Sequence, residues 1–282
     1  MSDTPRRTDR SGAAGAPRRG FAGLLALPND SPKKTLLVAL ALCLVCSLVV
    51  AGAAVLLRPL QAENAALDRK RNIVDVAGLL GPDGNVEAAF QRIEARVVDL
   101  DSGEFAPGID PARYDARKAA KDKSQSKALE AGEDRAGIGR RARYATVYLV
   151  REGDAIGQLI LPVHGYGLWS TMYGFLSLQG DLRTVAGLKF YEHAETPGLG
   201  GEIDNPAWRA KWDGKLALDA QGKAVIEVMK GAVDPTRADA RQRVDGISGA
   251  TLTTRGVDNL VKFWLGENGF GPFLARLRDK EA

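Results

Sequence analysis

The chain has 282 residues, enough for one large domain or two small ones, with a formal net charge of +4. Its basic residues are scattered and never interleave with aromatics in a stripe, which argues against a nucleic-acid partner. The two His, His164 and His193, and the two Cys, Cys43 and Cys46, exclude a disulfide framework, thiol chemistry and a four-Cys iron–sulfur site, and form no zinc motif.

Residues 1–34 are rich in Arg, Gly, Ala and Pro, and the composition predicts a disordered tail. Residues 35–57 carry no charge and lie between Lys33-Lys34 and Arg58-Pro59. That stretch is long enough to span a bilayer as one transmembrane helix. Ala51-Gly52-Ala53 resembles a cleavage site, but the apolar run is too long and its leading tail too extended for a cleaved signal. The reading is an uncleaved signal anchor. Basic residues in the tail favour keeping it cytoplasmic, although Arg58, Arg69, Lys70 and Arg71 reduce the asymmetry.

Beyond the span, residues 61–80 read as a helix, with Leu60, Leu67, Val74 and Ala77 at helical spacing. Gly81-Pro82-Asp83-Gly84 is a turn, and residues 85–96 read as a second helix with Val86, Phe90, Ile93 and Val97 on one stripe. Residues 113–141 are highly charged and nearly free of large apolar side chains, so they read as a solvated, peripheral helix or loop. Short β-rich runs follow at 144–150, 155–163, 184–191 and 223–229. The pattern predicts an α+β domain with an antiparallel sheet and flanking helices over residues 58–282. A helix over 250–265, with Val257, Leu260, Val261 and Trp264 as its apolar stripe, and a shorter one over 271–278 close the chain.

Three stretches are unusual for scaffold. Residues 165–174 interleave Tyr166, Trp169 and Tyr173 with Gly165, Gly167 and Gly174. Residues 193–201 form a Gly-Pro loop directly after a strand. Aromatic or apolar side chains beside flexible backbone suit a flat heterocyclic ligand; a core cluster and a tight turn are the plainer alternatives. The third stretch is Asp245-Gly246-Ile247-Ser248-Gly249-Ala250-Thr251, where a Gly-rich loop turns into a helix. Helix starts expose free N–H groups and the positive end of the dipole. Gly246 and Gly249 would let backbone approach a bulky anion, Thr251 places a hydroxyl in the first turn, and Arg241, Arg243 and Arg255 lie close in sequence. The plainer alternative is an ordinary helix start capped by Ser248.

Together with Asn72 to Leu79, Glu192 to Pro206 and Gly167 to Gly174, these motifs resemble the C subunit of the bacterial sodium-translocating NADH:quinone oxidoreductases. The Asp245 to Thr251 motif alone is shared with other flavin-carrying membrane redox subunits, of which the G subunit of Rnf electron-transport complexes is the runner-up; Trp169-Ser170-Thr171-Met172-Tyr173 and Asn205-Pro206-Ala207-Trp208 favour the sodium pump. The resemblance implies FMN joined covalently through a phosphoester to Thr251, with Ser248, Gly249, Ala250 and Asp245 around the attachment. Glu195, Thr196, Gly198 and Leu199 are then expected against the isoalloxazine. Trp169 either stacks nearby or fills the core, and the core is the reading taken. The resemblance further implies a one-electron relay within an inner-membrane complex of six subunits, a separate flavin transferase for maturation, and a periplasmic soluble domain. NADH oxidation and quinone reduction would lie on other subunits, with sodium movement coupled to the whole path. Two other classes remain: a non-redox membrane-anchored scaffold, and a freestanding flavin reductase, for which no nicotinamide fingerprint is present.

Overall fold

The computed structural model describes residues 28, 31–81 and 84–281. Most of the tail and the centre of the turn at Pro82-Asp83 therefore lie outside the described residues. The chain divides into two units, Met1–Asn64 and Ala65–Ala282. Helix α1, Pro32–Val76, supplies the described part of the first unit. Its Leu and Val side chains from Leu36 to Leu57, Leu37 apart, are exposed, and it is the one helix among the described residues long and apolar enough to cross a membrane.

The second unit is built on a five-stranded antiparallel sheet of order β1-β4-β5-β6-β7. Its strands are β1 (Ile93–Asp99), β4 (Tyr144–Glu152), β5 (Ala155–Tyr166), β6 (Thr171–Gln179) and β7 (Val185–Glu192). β4 to β7 run as a meander, and β1 joins the edge against β4, with Ile93 opposite Val150 and Asp99 opposite Tyr144. Two short two-stranded pieces accompany it: β2 (Ser126–Ala128) with β3 (Arg140–Ala142), and β8 (Glu227–Val228) parallel to β9 (Arg243–Val244).

Both faces of the sheet are covered, which is why β4 and β6 read as nearly unbroken apolar runs. Successive side chains still alternate, as the pleat requires. Val147, Leu149, Leu159, Leu161 and Leu176 pack with Trp208 of the short helix α4 (Pro206–Arg209), with Trp212 and with the C-terminal helices α5 (Thr251–Leu265) and α6 (Gly271–Glu281). Tyr148, Val150, Ile160 and Phe175 pack against Ile73, Val74 and Val76 at the end of α1, and against the short helix α2 (Val86–Phe90). Asp75 fixes that helix end, accepting from Lys189 Nζ at 2.6 Å and Arg209 Nη2 at 3.2 Å.

Three expectations are corrected. The helix over 85–96 is one short turn, α2, followed by β1. Ile93, Ala95 and Val97 fit a strand's alternation as well as a helical stripe, and pairing with β4 decides between them. β6 is a strand where only an aromatic-Gly stretch was read. The segment 113–141 is not peripheral. It contains α3 (Ala116–Lys121), β2 and most of β3; Ala136 is buried in the main core, and its carbonyl accepts from Tyr166 N–H at 2.7 Å. Arg141 is 2% exposed; it bonds the carbonyl of Asn268 at 2.9 Å and pairs with Asp101.

α5 sits close over the end of β5 because two glycines face each other's elements. A Cβ on Gly165 would lie 2.6 Å from Leu260 Cβ, and one on Gly256 would lie 2.6 Å from the Tyr166 carbonyl oxygen. Gly256→Ala gains roughly 1 kcal/mol of helix propensity. It also drives a methyl into backbone that cannot swing aside, at a cost of ~1–3 kcal/mol. We expect a net loss of stability, read as a lower urea midpoint. A variant as stable as the parent would show that α5 can shift freely.

Candidate functional site

Three segments meet where α5 begins. They are the β5–β6 connection at residues 167–170, the loop 193–199 after β7, and the 245–250 loop leaving β9. Each is placed by the sheet or by the β8–β9 pair. Asp258 on α5 accepts from Val228 N–H at 2.9 Å, which ties that pair to the helix.

The centre of the assembly is Glu195, a carboxylate only 4% exposed. Its Oε1 accepts from the N–H groups of Leu168 and Trp169, each at 3.0 Å, and its Oε2 accepts from Thr253 Oγ1 at 2.5 Å. Burial raises its pKa, but the Thr253 hydroxyl and the Trp169, Leu168 and Ser170 amides outweigh that and hold it below the ordinary carboxylate range. Gly167 and Gly200 make room: a Cβ on Gly167 would lie 2.5 Å from Glu195 Oε1, and one on Gly200 would lie 2.5 Å from Thr253 Oγ1. Glu195 thus faces inward and holds the loops rather than presenting itself on the surface.

The 193–199 loop is fixed further by its own bonds. His193 Nδ1 accepts from Glu195 N–H at 3.1 Å, so its Nε2 carries the proton donated to Asp204 at 2.7 Å. Ser170 Oγ accepts from Ala194 N–H at 2.8 Å. Gly198 turns the chain with φ of +73°. Thr196 is exposed and accepts from Trp169 Nε1 at 3.1 Å. Trp169 is 63% exposed, so the core reading is corrected: its indole lies on the surface with its edge held.

The helix start is open. The N-cap is Ala250, with no side-chain bond, so Ser248 is not the cap. Among the described residues, the N–H groups of Thr251, Leu252 and Thr253 have no partner, and neither does the exposed Thr251 hydroxyl. Gly249 adopts φ of +75° in the turn before the helix, and Ser248 is exposed beside it. Asp245 is engaged within the protein, accepting from Lys211 at 2.6 Å and Val233 N–H at 2.8 Å. Burial raises its pKa, but these donors outweigh it and the carboxyl stays ionised. Gly246 serves a close backbone approach rather than an anion, since a Cβ there would lie 2.1 Å from the Met229 carbonyl. Arg243 pairs with Asp239 and Glu227, whereas Arg255, one turn along α5 from Thr251, is exposed with no partner among the described residues.

Outside α1, the exposed large apolar side chains among the described residues are Tyr166, Leu168, Trp169, Leu199 and Leu252. Four belong to these loops or to the first turn of α5, and Tyr166 is the last residue of β5. Tyr166, Leu168 and Leu252 were missed as site residues. The first two sit in the aromatic-Gly stretch, but nothing in the sequence marks them as outward-facing. The arrangement offers an anion site at a helix start beside an apolar, partly aromatic surface.

Residues 167–266 match the FMN-binding domain family. The chain is 58% identical over 258 residues to the C subunit of the Na(+)-translocating NADH-quinone reductase of Pseudomonas aeruginosa, covering 90% of this chain and 99% of that protein. The protein of the same name from Yersinia pestis is 53% identical over 256 residues, covering 89% and 95%. The crystal structure of Shewanella oneidensis NqrC matches with a TM-score of 0.68 at 32% identity, over 74% of this chain and 96% of that one.

Glu195→Ala leaves two amides and one hydroxyl without their acceptor, a loss of ~1–3 kcal/mol. Because its pKa is lowered on folding, the contribution of Glu195 is complete above the unfolded carboxylate value of ~4.3. It is lost as pH falls through the lower folded value. Urea unfolding should find the variant weaker at pH 7, with the gap closing in acid. A gap that does not change with pH would mean that ionisation of Glu195 contributes nothing.

Proposed function

The chain belongs to the family of C subunits of the Na(+)-translocating NADH-quinone reductases, and on that basis we propose that it relays electrons from NADH toward ubiquinone with FMN joined to Thr251 by a phosphoester. It is one subunit of an oxidoreductase complex, and its FMN-binding domain makes it a flavin subunit of that complex. The observation that carries the assignment of Thr251 is a coincidence. Among the described residues, a hydroxyl without a partner in the first turn of a helix with no side-chain cap stands beside the five exposed large apolar side chains found outside α1.

The residues fit the group. The free N–H groups of Thr251, Leu252 and Thr253 and the helix dipole favour a phosphate at this position, and Arg255 adds a cation one turn away. Trp169, Leu199 and Leu252 offer apolar surface to a flat ring, and the Trp169–Thr196 bond limits how the indole turns. FMN, when bound, supplies the one-electron chemistry, and the protein supplies its position. Ser248, Gly249 and Ala250 shape the turn that presents Thr251, Gly198 shapes the facing loop, and Glu195 and Asp245 hold the two loops from within. Two other hydroxyls lie nearby: that of Thr253 is buried against Glu195, while Ser248 is exposed.

The finer assembly follows from the same reading. NADH oxidation and quinone reduction belong to other members of a complex of six subunits, and sodium export is coupled to the whole electron path. A separate flavin transferase makes the bond. Residues 35–57 span the inner membrane: at ~1.5 Å per residue they cover roughly 35 Å, enough for a hydrocarbon core of ~30 Å. The tail lies in the cytoplasm and the flavin domain in the periplasm.

Protease added to spheroplasts should then cut the folded domain and spare the tail; a protected domain would reverse the topology. Thr251→Ala should fold and lose covalent flavin, so its band no longer fluoresces on a denaturing gel. Thr251→Ser retains part of the attachment. Mass spectrometry of the peptide spanning Ser248 to Arg255 should place the flavin on Thr251. A flavin mass on Ser248 or Thr253 would refute the assignment.

A further inference from the structure

A second feature lies apart from the residues assigned to FMN. β4 and β5 pair only from Tyr148 opposite Ile160 down to their hairpin. Above that point β5 carries Pro162, which has no N–H to offer a neighbour, and the strands part, β4 staying with β1 and β5 with β6. The fork opens into a cavity of about 640 Å³, roofed by α3 and the chain before it. Thr251, Glu195, Trp169 and Leu199 do not line it.

Its walls combine two chemistries. Tyr114, Tyr144, Tyr148, Tyr173, Phe175 and Tyr191 give it an aromatic lining. The Tyr173 ring has the Arg117 guanidinium 3.5 Å from its centroid and His164 stacked at 5.3 Å. The charge is unbalanced toward the positive. Arg69, Arg117, Lys121 and Arg140 line the cavity against only Asp115 and Glu192. Both carboxylates are engaged: Glu192 pairs with Arg117 at 2.8 Å, and Asp115 accepts from the N–H groups of Arg117 and Lys118. Arg140 reaches only the hydroxyl and carbonyl of Ser126, and Arg69 and Lys121 have no carboxylate partner among the described residues. The hydroxyls of Tyr148 and Tyr173 and the ring nitrogens of His164 also lack a protein partner among the described residues. Burial holds the Tyr148 hydroxyl protonated, with its pKa pushed up to about 12, so it is a donor at neutral pH.

We propose that this cavity binds a planar aromatic carboxylate, its rings against the tyrosines and its anionic end toward Lys121 and Arg140, which sit on the adjoining α3 and β3. An inorganic anion would leave the aromatic walls wet, and a neutral apolar molecule would strip water from these cations without replacing it. A fused-ring carboxylate satisfies both, and a cavity of this size admits one.

The test is calorimetric titration of the full-length protein in detergent with 2-naphthoate, 2-naphthamide and inorganic phosphate, against matching micelle blanks. We expect saturable one-to-one binding of 2-naphthoate, at least ten-fold weaker binding of the isosteric amide, and no competition by phosphate. Lys121→Gln and Arg140→Gln should each weaken 2-naphthoate several-fold and leave the amide unchanged. Ala120→Trp, which fills the roof and keeps every charge, should abolish both. Thr251→Ala should bind as the parent does, since the cavity is separate from the flavin site. Circular dichroism identifies any variant that fails to fold, and the ligand series on the parent stands without it. Absence of saturable binding, equal affinity for acid and amide, binding that survives Ala120→Trp, or loss of binding in Thr251→Ala would each overturn the proposal.

Discussion

The site depends on one buried negative charge. Glu195 stands almost out of contact with water, and removing a carboxylate from solvent is costly. It remains ionised because two backbone amides and a hydroxyl converge on it from the 167–170 loop and the first turn of α5. Those donors belong to segments far apart in sequence, so the carboxylate acts as their common fastener. The glycines at 167 and 200 are part of the same device, since a side chain at either would displace the groups that meet there. What is left exposed is then held from beneath. Trp169 keeps its orientation through Thr196, and the start of α5 keeps its N–H groups open.

The sheet explains how such an assembly can lie on an otherwise polar surface. Its two faces are already occupied, one by the C-terminal helices and the other by the end of α1 and α2. Outside α1, the large apolar side chains left uncovered among the described residues are therefore confined to the end of β5, the loops beside it and the first turn of α5. Asp75 ties the end of α1 to β7 and to the chain after it through Lys189 and Arg209.

Much of this was legible in the sequence where one segment decides its own structure. The apolar run at 35–57, the helix carrying Val257, Leu260, Val261 and Trp264, and the strands β4, β5 and β7 of the meander follow from local pattern. The motif ending at Thr251 marked the site because its small residues and hydroxyl sit at a helix start. The failures share a physical cause. Ile93 and Val97 fit two periodicities, and only β4 chooses. Residues 113–141 lack large apolar side chains, yet Ala136 and Arg141 are buried by what packs over them. Trp169 looked like core because its exposure is set by a loop anchored elsewhere. Asp245 and Gly246 suggested ligand contacts, whereas Lys211, Val233 and the Met229 carbonyl account for them.

Arg141 has a consequence for how the chain reaches this structure during synthesis. Its guanidinium is buried and needs the carbonyl of Asn268, which lies 127 residues further along. Leu100 and Asp101, which precede Arg141, supply part of its surroundings, but the bond that reaches across the domain is made only when the Asn268 carbonyl is in place. Full burial of this guanidinium is therefore a long-range event, and it couples the segment at 113–141 to the corner between α5 and α6.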